Sequence, residues 1–211
     1  MEPPSYLPLL LPSYLPPFLP MFAPMRIAVA VSGGGSNLQA LLDSLPPGSP
    51  AVVALVVSNK RSAGGLDRAE ERGVPTAVFT DPTSADEWLG LLKQHRIDLI
   101  VLAGYLKLVP AGVISAFRGR ILNIHPALLP AFGGPGMYGK RVHRAVLDAG
   151  AAESGCTVHL VDEVYDRGEI LAQARVLVLP GDTVESLAAR VLAAEHQLLP
   201  RVVLEVATRD P

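Results

Sequence analysis

Two polar side chains stand two positions apart in an otherwise apolar run: Asn123 and His125 in ILNIHPALLP, residues 121–130. In an extended chain, positions i and i+2 face the same way, so the carboxamide and the imidazole are expected to project together. Pro126 and Pro130 stop any regular element from continuing and stiffen the exit. The pairing suits chemistry at a carbonyl carbon. The amide donates to a developing oxyanion, and the imidazole moves a proton. The same two residues also read as a turn-forming Asn and a surface His at a strand end. The surrounding elements decide between the two readings.

Those elements alternate. RIAVAVS, residues 26–32, is a short β-rich run followed by Gly33-Gly34-Gly35-Ser36-Asn37 and then LQALLDSL. Leu38, Leu41, Leu42 and Leu45 share one helical face, and Pro46-Pro47 closes the helix. Strand, glycine-rich turn and helix together present backbone N–H groups to a phosphate. Neither of the common phosphate-loop motifs is matched. The alternative is a tight turn with Ser36 as N-cap. AVVALVVS, residues 51–58, is unbroken apolar, as in a strand buried on both faces. A helix is expected from Gly65 to Arg72, a strand from Val74 to Phe79, and a helix after a Ser84/Glu87 capping box. DLIVLA, residues 98–103, reads as another buried strand, leaving into the loop Gly104–Val109. A short helix over Val113–Phe117 precedes the Asn123/His125 strand.

Such alternation implies a doubly wound α/β sheet. In such sheets ligands sit beyond the carboxyl ends of the strands. The Gly33–Asn37 turn, the Tyr105–Val109 loop and His125 all fall there, which favours the chemical reading of His125. Residues 131–140, AFGGPGMYGK, read as a mobile flap. His143 opens a helix and either faces the site or serves the structure. Thr157–Val161 and Ile170–Val178 read as a hairpin that makes the sheet edge antiparallel, with Asp162–Gly168 as a loop between them. A closing helix is expected over Asp182–Ala207 with a kink at Pro200. Within it, Glu195 and His196 look by pattern like an exposed stripe.

The totals set bounds. A chain of 211 residues is most simply one domain with a sizeable core. A net charge of −2 without Lys/Arg runs argues against nucleic acid as a partner. The single cysteine, Cys156, excludes an intrachain disulfide, fits a reducing cytosol, and reads as a small buried residue. Residues 1–24 carry eight prolines and two SYLP repeats. That density excludes a transmembrane helix and makes a poor signal peptide. The segment reads as a disordered Pro-rich extension or a start codon placed too early, with a single domain over 25–211.

From Arg26 to about Val206 the sequence resembles the phosphoribosylglycinamide formyltransferases, a folate-dependent formyltransferase family with a Rossmann-like fold. The matching runs are SGGGSNLQAL, VVSNK, LAGYLKLV, LNIHPALLP, DEVYDRG and AARVLAAEH. The resemblance implies formyl transfer from 10-formyltetrahydrofolate, as co-substrate, to the amine of N1-(5-phosphoribosyl)glycinamide in purine biosynthesis. It implies no metal, small-molecule partners only, a cytoplasmic location, and a monomer or homodimer. By resemblance Asn123, His125 and Asp166 are the catalytic trio, with Asp166 favouring the charged form of His125. Gly35, Ser36 and Asn37 match the substrate-phosphate loop, and Glu195 the acid that holds the ribonucleotide. Leu106, Lys107, Leu108 and Val109, with Asn123, match the folate contacts. Three departures touch those contacts: Ser84 or Ala85 stands where some members carry Arg, Lys107 replaces an Arg, and the flap is longer. The rival readings are another formyltetrahydrofolate-dependent transferase or hydrolase, and a non-catalytic phosphosugar-binding regulator.

Overall fold

Alternation between two core clusters along the first strand sets the architecture. In β1 (Met25–Val31) Ile27, Val29 and Val31 join one core cluster, while Ala28 and Ala30 join another. Both faces are covered because the strand is central and helices lie on each side. The computed structural model describes residues 23–209. The expected Pro-rich extension therefore lies outside the described residues, apart from Ala23 and Pro24.

The elements run in the order α1 (Ser36–Ser44), β2 (Ala51–Ser58), α2 (Gly64–Glu71), β3 (Thr76–Val78), α3 (Ala85–Gln94), β4 (Leu99–Leu102), α4 (Ala111–Ala116), β5 (Ile121–His125), α5 (Lys140–Asp148), β6 (Glu153–Leu160), β7 (Ile170–Leu177) and α6 (Val184–Thr208). They form one seven-stranded sheet, ordered β3-β2-β1-β4-β5-β6-β7. The first five strands are parallel, and β6 and β7 are antiparallel. The expected doubly wound sheet with an antiparallel edge is what forms. Strand order reverses between β1 and β4, the place where such sheets open a crevice for a ligand.

Helices α1, α2, α5 and α6 cover one face through Leu38, Leu41, Leu66, Val146, Leu187 and Val191. The other face is covered by α3 and α4 through Trp88, Leu92, Val113 and Ile114. Trp88 is fully buried, stacks on Phe79 at 4.4 Å and meets Tyr105 edge-on at 5.6 Å. Burying a side chain of this size contributes about 2–3 kcal/mol. It also pins the start of the Tyr105–Val109 loop. Ser32 ties the same loop to the first two strands, with its hydroxyl donating to Asn59 Oδ1 and accepting from Leu106 N–H.

Several local expectations need correction. Gly35, not Ser36, caps α1: it is left-handed, and Ser36 is the first helical residue. A left-handed cap is cheap only for glycine. The Ser84 cap forms, but Glu87 does not return the bond to Ser84. Its carboxylate accepts instead from the Thr80 and Asp81 N–H groups, closing the preceding turn. Helix α5 begins at Lys140, which puts His143 in its first turns rather than at its mouth. Helix α6 runs through Pro200 as the single closing helix expected. Glu195 is not part of an exposed stripe: it is 6% exposed and belongs to the interior face of α6.

Candidate active site

Asn123 and His125 do share a face of β5, and both line a cavity of about 450 Å³. The cavity opens at the carboxyl ends of β4 and β5. The β5/β6 register sets Asn123 directly opposite His159 and His125 opposite Thr157. His159 Nδ1–H donates to the Leu160 carbonyl at 2.8 Å, which leaves Nε2 to accept from Asn123 Nδ2 at 3.0 Å. One amide hydrogen of Asn123 is thereby used to fix its orientation, and the second remains for a ligand.

Asp166 sits between two imidazoles. Its Oδ2 lies 3.6 Å from His125 Nδ1, and its Oδ1 lies 3.5 Å from His159 Nε2. The carboxylate also accepts from Gly134 N–H at 2.8 Å. Burial pushes the Asp166 carboxyl up. The nearby imidazoles and the Gly134 hydrogen bond outweigh that, so its pKa falls below the ordinary value. For His125 burial comes first and lowers the pKa, assisted by His159. The Asp166 charge and the Phe132 carbonyl oppose it, but the net direction is down. Asp166 does favour the imidazolium, as expected, but burial outweighs it.

His125 Nε2–H donates to the Phe132 carbonyl at 2.9 Å. The glycine-rich segment is thus anchored at both ends of the acid–base pair, by Phe132 on His125 and by Gly134 on Asp166. Phe132 and Asp166 are both left-handed, a conformation that costs non-glycine residues about 1 kcal/mol or more. Gly168 makes the Asp166 approach feasible. A Cβ there would come within 1.8 Å of the Leu160 carbonyl oxygen. Asp162, the other candidate acid, turns its Oδ1 to the Val164 N–H and closes its own loop.

The far wall comes from α1 and α6. Asn37 Nδ2 donates to Glu195 Oε2 at 2.6 Å. Burial raises the Glu195 carboxyl to about 7, against the lowering effect of Asn37. Gly35 and Ser36 do not line the cavity, although Asn37 does. They stand beside it at the start of α1, whose first-turn amides have no intrahelical acceptor. The turn is held from outside: Gly65 N–H donates to the Gly33 carbonyl, and Arg68 Nε donates to the Gly34 carbonyl at 2.7 Å. A Cβ on Gly35 would come within 2.5 Å of Gly65 Cα, so this glycine serves the helix contact. Gly33 and Gly34 are exposed, and a Cβ on either would meet nothing within 4 Å.

The mouth is apolar. Leu106, Lys107, Leu108 and Val109 all border it, joined by Tyr138, Val164 and Tyr165. Val109 is buried, whereas Leu106 and Leu108 are 48% and 65% exposed, the kind of surface that a flat ring ligand would cover. The sequence reading missed His159, left His143 between facing the site and serving the structure, and placed Tyr105 only as the start of its loop; all three line the cavity. His159 was findable: pairing the polar i, i+2 residues of β5 with Thr157 and His159 of β6 gives this face.

Comparison with known proteins agrees with the geometry. The formyl transferase family matches residues 25–203. The chloroplastic phosphoribosylglycinamide formyltransferase of Arabidopsis thaliana is 49% identical over 186 residues, 84% of this chain and 64% of that protein. The trifunctional purine biosynthetic protein adenosine-3 of Bos taurus is 42% identical over 193 residues, 87% of this chain and 18% of that protein. The chain thus spans less than two thirds of the length of both relatives. The crystal structure of phosphoribosylglycinamide formyltransferase from Anaplasma phagocytophilum aligns with a TM-score of 0.82 at 39% identity, covering 88% of this chain and 87% of that one.

Proposed function

The chain belongs to the formyl transferase family, and from that premise we propose that it moves a formyl group from 10-formyltetrahydrofolate to the amine of N1-(5-phosphoribosyl)glycinamide. The observation that carries the reading is the convergence of Asn123, His125 and Asp166 on one cavity whose far wall holds Asn37 and Glu195. One end suits acyl transfer, and the other suits a polar phosphosugar. The place in purine biosynthesis follows from the same substrate, and the protein is proposed to act in the cytosol on small molecules.

The amine nitrogen attacks the formyl carbon, forming the new C–N bond and a tetrahedral species with O⁻ and N⁺–H. The free amide hydrogen of Asn123 stabilises the oxyanion. His125 becomes useful when its Nε2 exchanges the Phe132 carbonyl for the substrate. Its charged form then adds a second donor to the oxyanion, and the Asp166 carboxylate 3.6 Å from Nδ1 holds that charge. The C–N bond to the folate then breaks, and the proton lost by the amine ends on the departing folate nitrogen. An imidazole is suited to carry it because its ordinary pKa lies near neutrality.

In the ground state the flap carbonyl of Phe132 occupies Nε2. The folate pterin is assigned to the apolar mouth formed by Leu106, Lys107, Leu108 and Val109. The ribonucleotide phosphate is assigned to the amides of Gly35, Ser36 and Asn37, and the ribose hydroxyls to Glu195. The test is an assay of folate product formation that depends on both substrates. Consumption of the formyl donor without the ribonucleotide would instead indicate a hydrolase.

A further inference from the structure

Five buried side-chain atoms lack a hydrogen-bond partner among the described residues: Asn37 Oδ1, the Tyr105 hydroxyl, His143 Nδ1, Ser154 Oγ and His196 Nε2. Three of them belong to residues that line the active-site cavity, namely Asn37, Tyr105 and His143. Buried polar groups are ordinarily satisfied, so three exceptions around one cavity call for an explanation.

His143 is the member of this set to which no role has been given. It is 5% exposed, lies in the first turns of α5 and lines the cavity. A neutral imidazole has one N–H donor and one acceptor. An unpaired buried N–H is rarer than an unpaired acceptor. Nδ1, sealed and without an acceptor beside it, is therefore the lone-pair nitrogen, and the proton sits on Nε2. Burial, and then the charge of His125, lower the pKa of His143, which keeps the ring neutral at neutral pH. Helix α5 packs against α6, which contributes Ala188, Leu192 and Glu195 to the cavity. His143 therefore stands on the α6 side of the cavity, and close enough to His125 to feel its charge.

We propose that His143 is a ribonucleotide-binding residue, a neutral imidazole whose Nε2–H holds an acceptor oxygen of the glycinamide portion beside His125. A neutral donor serves this position better than a charged one. It fixes the nucleophile without competing with His125 for the proton, and small errors in that alignment are costly to the rate. The inference rests on the formyl-transfer reading, which wild-type turnover tests separately.

The experiment compares His143→Phe, which keeps the ring bulk, with His143→Gln, which keeps a donor. In His143→Phe the KM for glycinamide ribonucleotide should rise about tenfold, the effect of one lost hydrogen bond. The KM for 10-formyltetrahydrofolate should stay unchanged, and His143→Gln should recover most of the loss. On the wild-type protein, ¹⁵N imidazole NMR should find the Nε2–H tautomer. That resonance should move on adding the ribonucleotide alone and stay in place on adding the folate alone. Unchanged ribonucleotide KM in a folded His143→Phe protein, or equal rises in both KM values, would overturn the proposal. So would an Nε2 resonance indifferent to the ribonucleotide. The NMR arm decides the matter if the variants do not fold, and also if the wild type shows no turnover.

Discussion

Replacing Glu195 with Gln should remove a pH dependence from the stability of the fold. Glu195 is 6% exposed, and its carboxylate accepts a 2.6 Å hydrogen bond from Asn37. Burial raises its pKa from 4.5 to about 7. A carboxyl raised in the folded state binds its proton more tightly folded than unfolded. Its stabilising contribution is complete below the unfolded value and is lost as pH rises through the folded one. The rise from 4.5 to about 7, at about 1.4 kcal/mol per pH unit, comes to about 3 kcal/mol. For a domain of this size that is ~6–12 °C in Tm. Gln is the neutral isostere, and its carbonyl oxygen can accept the same bond from Asn37. Urea unfolding of both proteins near pH 5 and near pH 8.5 isolates the effect, because every other group titrates alike in the two. The wild type should lose about 3 kcal/mol more than Glu195→Gln between those conditions. Parallel losses would show that the carboxyl is not desolvated as the structure has it.

Asn123→Ala and His125→Ala should each lower turnover about a hundred- to a thousandfold at unchanged Tm, as expected for lost oxyanion donors. The double variant should fall short of the product of the two, since both act on one intermediate; near-normal turnover in either single variant would remove that residue from the mechanism. Asp166→Asn should cut turnover about a hundredfold or more and lower the His125 pKa further, because the negative charge that raises it is gone. Asp162→Asn should change neither, and a reversal of the two in turnover and histidine NMR titration would redraw the trio. Gly34→Val, with open space around its Cβ, should raise the ribonucleotide KM about ten- to a hundredfold through one blocked charge-assisted bond. Gly35→Val should instead lower Tm, since its Cβ meets Gly65, and the reverse pattern in thermal melts and kinetics would misplace the phosphate.

The fold was legible because its signals are local and agree with one another. AVVALVVS and DLIVLA could only be strands covered on both faces, and each was followed by turn residues and an amphipathic helix. His125 was legible because three separate segments pointed to one end of the sheet. What escaped depended on partners distant in sequence. Glu195 looks exposed in its own helix, and only the packing of α6 on α1 brings it to Asn37, 158 residues away. His159 becomes visible only when the β5/β6 register is known. Gly35 reads only as a phosphate-loop glycine until Gly65 is found against it, which makes it a packing glycine as well. The net lowering of the His125 pKa is likewise a matter of burial, which the ILNIHP stretch does not reveal.

The central claim is that this cavity joins a formyl donor to an amine-bearing ribonucleotide. It is tested most directly by incubating the purified protein with 10-formyltetrahydrofolate and glycinamide ribonucleotide, following tetrahydrofolate and formylated ribonucleotide together. The account predicts equal amounts of the two products, formed only when both substrates are present and about a hundred- to a thousandfold more slowly in His125→Ala. Ribonucleotide binding without any product would contradict it and identify a phosphosugar-binding protein. Tetrahydrofolate release independent of the ribonucleotide would contradict it as well.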